Sequence, residues 1–193
     1  MESVIGVALT NSSKLTLPAR AIRVQSRQPN WKPKYTFTIC PGVLHSNLSR
    51  MEDIVQYVEV NSIFGAEFVT FFNHSASPVL DPILNFYKSC GLVDVVQWKL
   101  PVKATKVHAE ADIYYFAQAS QMAECQYRAY ISSKYVGYFD IDEVIVPKKG
   151  RKWLDFIPTD PQYGAYIIDH SRACIKQCKP NGNYTNMAAS KYL

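Results

Sequence analysis

The sequence predicts an α/β protein with a mostly parallel sheet and helices on both faces. Two observations lead there. Bulky apolar segments of strand length alternate with amphipathic segments of helix length. One of the former, Phe68-Val69-Thr70-Phe71-Phe72, is almost continuously apolar, as a strand covered on both faces must be.

Each element has its own reason. Tyr35 to Cys40 alternates bulky and small polar side chains and reads as a strand, stopped by Pro41-Gly42. Ser49-Arg50-Met51-Glu52 has the form of a capping box, with Ser49 as N-cap and Glu52 at N3. The helix it opens carries Ile54, Val55, Val58 and Phe64 as its apolar side and stops at Gly65. After the strand from Phe68, Asn73-His74-Ser75 is a loop. A second helix begins near Ser77 and Pro78, tolerates Pro82 in its first turn, and ends at Gly91. Val93 to Trp98 is a third strand. Glu110 to Tyr130 is Ala-rich and reads as a long helix. Tyr135 to Phe139 is a fourth strand running directly into Asp140, and Val144-Ile145-Val146 a short fifth, closed by Pro147.

In parallel α/β sheets, ligands sit beyond the carboxyl ends of the strands. The loops that matter are therefore 40–44, 73–75, 98–103 and 140–143.

The 193 residues can bury a proper core, and 19% charged residues suit a globular chain rather than a disordered one. The net charge of +5 is mild and scattered, without a Lys/Arg run, so no nucleic-acid partner is expected. No stretch approaches the roughly 20 apolar residues of a membrane span, and no secretory signal is visible at the start. Four N-x-S/T sequons, at Asn11, Asn47, Asn73 and Asn183, nevertheless exceed the one or two expected by chance, about twofold, and point to a secretory lumen. Of the five cysteines, Cys90 and Cys125 lie in apolar stretches and read as small buried hydrophobes. Cys174 and Cys178 allow a local disulfide, a weak metal pair or free thiols. Residues 1–34, broken by Pro18, Pro29 and Pro33, read as a leader or stem. Residues 35–150 read as the α/β domain, and 151–193 as the start of a further region cut short.

The chemistry concentrates in Tyr138-Phe139-Asp140-Ile141-Asp142-Glu143. Asp140 and Asp142 leave a buried strand toward the same rim, and three acids within four residues repel unless a cation sits among them. Oxygen-only ligands select a hard ion, Mn²⁺ or Mg²⁺, that completes its shell with waters and substrate phosphates. Such a metal would stabilise a departing nucleotide diphosphate. In the alternative reading, the two aspartates only cap the next element.

From Thr36 to Lys148 the chain resembles glycosyltransferase family 92. The matching residues are Phe37-Thr38-Ile39-Cys40, Glu67 to Asn73, Leu84-x-x-Tyr87-x-x-x-Gly91 leading to Trp98, Gln118 through Glu124-Cys125-x-x-Arg128, the Asp140 motif, and Pro147. The resemblance implies a GT-A, Rossmann-like fold, an inverting mechanism, a UDP-sugar donor with galactose as the hexose, a glycan acceptor, and Mn²⁺. It makes 35–150 the nucleotide-sugar-binding domain and 151–193 the start of the acceptor-side region. It also implies a Golgi or secretory-pathway membrane protein, held there by an anchor this sequence does not contain. By the same analogy Asp140 and Asp142 hold metal and diphosphate, Pro41, Gly42 and Leu44 with Asn73 and His74 approach uracil and ribose, and Arg128 assists the donor's charge. The competing reading of Arg128 is a surface ion pair.

An inverting transferase also needs a carboxylate base for the acceptor hydroxyl. Asp155, Asp160 and Asp169 follow the motif, and Asp169, beside His170, is the weak candidate among them. Two other readings stand beside transfer. The chain could bind a nucleotide-sugar without transferring it. A strand followed by Asp140-x-Asp142 also resembles the first motif of haloacid-dehalogenase phosphatases, in which the first aspartate is a nucleophile.

Overall fold

A computed structural model gives the structure of the chain and describes residues 6–7, 22–23, 30–105, 112–147, 152–157 and 164–168. The chain divides into two compact units, Met1–Ile145 and Val146–Leu193.

The first unit is built on four parallel strands: β1 Tyr35–Cys40, β2 Phe68–Asn73, β3 Val93–Gln97 and β4 Ser133–Tyr138. Their order across the sheet is β3-β2-β1-β4. Register is fixed by pairs such as Thr38 with Phe68, Thr70 with Asp94 and Cys40 with Tyr138. The chain thus winds outward from β1 in one direction through β2 and β3, then returns to β1's other side with β4. The reversal falls between β1 and β4. Their carboxyl ends, at Cys40 and Tyr138, open the crevice in which such sheets take ligands.

Among the described residues three α-helices cover the sheet: α1 Met51–Phe64, α2 Asp81–Ser89 and α3 Gln118–Tyr130. Side chains alternate across a strand, so Ile39, Val69 and Phe71 share one face while Cys40 and Phe72 share the other. Tyr57 of α1 packs its ring near Phe71 on the first face. Cys125 of α3 is disulfide-bonded to Cys40 on the second. α2 lies beside α1, where the Tyr87 hydroxyl donates to Glu59 at 2.7 Å. Ile39, Phe71, Phe72, Ile54 and Leu80 are wholly buried, which accounts for the continuous apolarity of the β2 segment.

Several expectations are corrected. The Ser49 capping box does not form: α1 begins at Met51 with Arg50 as its N-cap residue and no side-chain cap. Val55 is exposed, and the buried stripe is Ile54, Tyr57, Val58 and Asn61. The long helix is shorter than its composition predicts. Within the expected span, Ile113–Tyr114 pairs as a short strand with Ala104–Thr105. Tyr115, Phe116 and Ala117 then take left-handed φ values of 52°, 55° and 58° before α3 starts. Val144 to Val146 is irregular rather than a strand. Cys125 is buried but disulfide-bonded, and Cys90 is a free, exposed thiol.

Most of the predicted stem lies outside the described residues. Within it Gly6–Val7 pairs antiparallel with Ile22–Arg23, and Trp31 Nε1–H donates to the Ile131 carbonyl at 2.6 Å. Among the described residues no helix is long and apolar enough to cross a membrane. In the second unit, Trp153–Asp155 forms a single 3₁₀ turn with Trp153 buried.

A candidate functional site at the β1 and β4 ends

β4 ends at Tyr138, and the chain passes through Phe139 into a tight turn at Asp140–Glu143. The turn is closed reciprocally. Asp140 N–H donates to Glu143 Oε2 at 2.9 Å, and Glu143 N–H donates to the Asp140 carbonyl at 2.9 Å. Glu143 is therefore engaged in holding the turn. Asp142, at its tip, is exposed, and Asp140 is half-buried.

Asp140 leans onto the loop that follows β1. A Cβ placed on Gly42 would lie 2.6 Å from Asp140 Oδ1 and 3.3 Å from Gln118 Nε2. The carboxylate occupies space that only a glycine leaves open. Pro41 is fixed beside it: the buried Gln121 amide donates to the Pro41 carbonyl at 3.2 Å. One turn further along α3, Cys125 holds Cys40 by the disulfide. Gly42, Gln118, Gln121, Tyr138, Asp140 and Glu143 line a cleft of about 190 Å³. Two buried polar atoms here, Gln121 Oε1 and the Tyr138 hydroxyl, have no hydrogen-bond partner among the described residues. Burial pushes the Tyr138 phenol up to about 12, so it stays a neutral donor.

From the opposite face, Tyr57 reaches the same turn. Its hydroxyl donates to the Phe139 carbonyl at 3.0 Å. Burial, then the negative charges of Asp140 and Glu143, raise this phenol well above the ordinary tyrosine value.

The other expected residues sit along the same rim with different roles. Leu44 is buried, so only its backbone serves the rim. Its N–H donates to the Phe72 carbonyl at 2.8 Å, and its carbonyl accepts from His74 N–H at 2.9 Å. Asn73 ends β2 and caps its own loop, its Oδ1 accepting from Ala76 N–H at 3.0 Å. His74 Nδ1 lies 2.9 Å from the Trp98 carbonyl. A carbonyl only accepts, so Nδ1 carries a proton and donates. Phe116 brings the rim's rings together: His45 stacks on it at 4.2 Å, and His74 tilts toward it at 5.2 Å.

Arg128 is not brought to this cleft. It lies near the far end of α3, about 15 Å along the axis from Gln118, and pairs with Glu124 at 2.8 Å. It lines a separate cleft with Thr38, Thr70 and Asp94. Asp160, Asp169, His170, Cys174, Cys178 and His108 lie outside the described residues. Asp155 accepts Lys152 N–H at 2.9 Å and caps its own turn.

Sequence reading did not assign roles to Tyr57, Gln118 and Gln121. Tyr57 follows the i, i+3, i+4, i+7 spacing of Ile54, Val58 and Asn61, which marks the buried stripe. Gln118 and Gln121 are three residues apart on one face of α3. That spacing places them together, but nothing in it says what they face.

Among the described residues, no three His, Cys, Asp or Glu side chains form a group that could hold a metal by themselves. Asp140 and Asp142 still suit an ion that takes its remaining ligands from phosphate and water. The missing Cβ at Gly42 is what leaves room for the Asp140 carboxylate itself.

No solved structure matches the chain. A beta-1,4-galactosyltransferase of Caenorhabditis elegans, galt-1, is 24% identical over 137 residues, covering 68% of this chain and 31% of that protein. The chain thus spans about a third of the length of the curated relative it matches. The parallel sheet with helices on both faces has the α/β character of a GT-A-like fold. The family model for glycosyltransferase family 92 matches residues 35–167, a span that includes the four strands, the three helices and the Asp140 turn, and the chain belongs to that family.

Proposed function

We propose that the rim at the β1 and β4 ends binds the diphosphate of a UDP-sugar through Mn²⁺ or Mg²⁺, as the donor half of an inverting hexosyltransferase with galactose as the hexose. The observation that carries this reading is the Asp140 carboxylate seated on Gly42 at the reversal point of the sheet. The name of the nematode relative supports galactose.

In this reading Asp140 and Asp142 hold the metal, and Gly42 leaves the room that the Asp140 carboxylate takes. Pro41, Gly42 and the Leu44 backbone line the base and ribose side together with the neighbouring Asn73 and His74. The metal, when bound, supplies Lewis-acid stabilisation to the departing diphosphate. Glu143 and Gln121 orient the two loops. A Golgi or other secretory-pathway setting belongs to the same proposal. The Cys40–Cys125 disulfide supports it, since such bonds persist in oxidising compartments.

A second reading, binding without transfer, has its own support. Asp140 and Asp142 serve the metal and Glu143 holds the turn, so none of these three remains to deprotonate an acceptor. Incubation with Mn²⁺ and UDP-galactose separates the two. Donor hydrolysis or transfer to an acceptor glycan supports the transferase reading. UDP binding with neither reaction supports binding alone.

A further inference from the structure

We infer that Tyr57 is a positioning residue for the Asp140 carboxylate, acting through the Phe139 carbonyl from the opposite face of the sheet. The inference rests on the donor-site reading above and adds to it a residue on α1 that does not line the cleft.

Phe139 is the first residue beyond the β4 ladder, so its carbonyl has left the pairing with β1. A backbone carbonyl at such a point needs another donor or water. Tyr57 supplies it at 3.0 Å; the residue is only 2% exposed, and its ring packs near Phe71 and Phe139. Phenylalanine would fill the same apolar space, so the hydroxyl answers to the turn rather than to the core. On the far side of the Phe139–Asp140 peptide, Asp140 N–H is held by Glu143 Oε2, and the Asp140 carbonyl by Glu143 N–H. With Tyr57 in place, three consecutive polar groups of this backbone have fixed partners. The peptide plane is then set, and with it the direction in which the Asp140 side chain leaves toward Gly42. Asn61 steadies the helix beneath, its Nδ2 donating to the Tyr57 carbonyl at 2.8 Å.

The test separates orientation from stability by comparing two buried tyrosines. Tyr57→Phe removes the hydroxyl that reaches the turn. Tyr87→Phe removes one that reaches Glu59 on α1, away from the cleft. Affinity for UDP in the presence of Mn²⁺ is measured by calorimetry on the full chain, with trimethylamine N-oxide added wherever a variant needs it to stay folded. The expected result is a loss of roughly threefold to tenfold for Tyr57→Phe, the range of one net hydrogen bond, with Tyr87→Phe unchanged. Equal affinity for wild type and Tyr57→Phe overturns the inference, as does an equal loss in both variants. If the wild-type chain itself shows no Mn²⁺-dependent binding of UDP, the donor-site reading has failed, and the role of Tyr57 falls with it.

Discussion

Gly42 shows how one residue decides what the rim can hold. Any side chain there meets Asp140 Oδ1 at 2.6 Å, and either the carboxylate or the loop must move. The loop is anchored through the Pro41 carbonyl and the Cys40 disulfide, so the carboxylate yields. Gly42→Ala is expected to weaken Mn²⁺-dependent UDP binding by about tenfold, the scale of a displaced charged ligand, while the far-ultraviolet circular dichroism spectrum stays that of wild type. Unchanged affinity in Gly42→Ala would mean the seat has no role. At this scale the sequence was partly legible. Asp140 and Asp142 are visible because clustered acids at a strand end require an explanation, and Pro41-Gly42 because it interrupts a strand. Glu143 is not separable from its neighbours by pattern alone. Its engagement with Asp140 N–H depends on the turn's geometry. Arg128 illustrates the converse: its i,i+4 spacing from Glu124 offers a local ion pair, and that pairing is what the structure holds.

At the scale of elements, strands and the first two helices follow from apolar runs and their Gly and Pro boundaries. α3 does not. Its start is displaced to Gln118 by three consecutive left-handed residues, none of them glycine. That conformation costs of order 1 kcal/mol or more per residue, so propensity argues against it. Tertiary contacts hold it: Trp98 Nε1–H donates to the Phe116 carbonyl at 2.9 Å, and His45 stacks on the Phe116 ring. The Cys40–Cys125 bond is likewise hidden from the sequence, because its partners stand 85 residues apart and only the fold brings them together. It ties α3 to the end of β1 behind the Asp140 seat. Replacing both cysteines with alanine is expected to lower unfolding free energy by about 2–4 kcal/mol, from loss of the constraint on the unfolded chain. Chemical denaturation of the two proteins checks this, and coincident curves would show the bond contributes nothing.

For the first unit as a whole, the parallel sheet and its helices were legible, and the strand order β3-β2-β1-β4 supplied what periodicity lacks: which two strand ends form the crevice. The buried tyrosines give this unit a pH signature. Burial pushes Tyr138 up to about 12; burial and then the Glu59 hydrogen bond push Tyr87 up to about 12; Tyr57 is raised as well. Each folded-state value stands above the unfolded value near 10, so the folded chain holds these protons more tightly. Their contribution is fully present below about pH 10 and is lost as pH rises from 10 toward 12. The denaturation midpoint should therefore be flat from pH 7 to about 9 and fall steeply above about 10. A midpoint that stays level across that upper range would contradict these shifts.

The most direct test of the central claim is calorimetric titration of the chain with UDP, with Mn²⁺ and then with EDTA, for wild type and for Asp142→Ala. The metal-held diphosphate predicts binding that appears with Mn²⁺, disappears with EDTA, and is lost in Asp142→Ala. UDP binding that ignores both the metal and the substitution, or no binding at all by the wild-type chain with Mn²⁺ present, would contradict it.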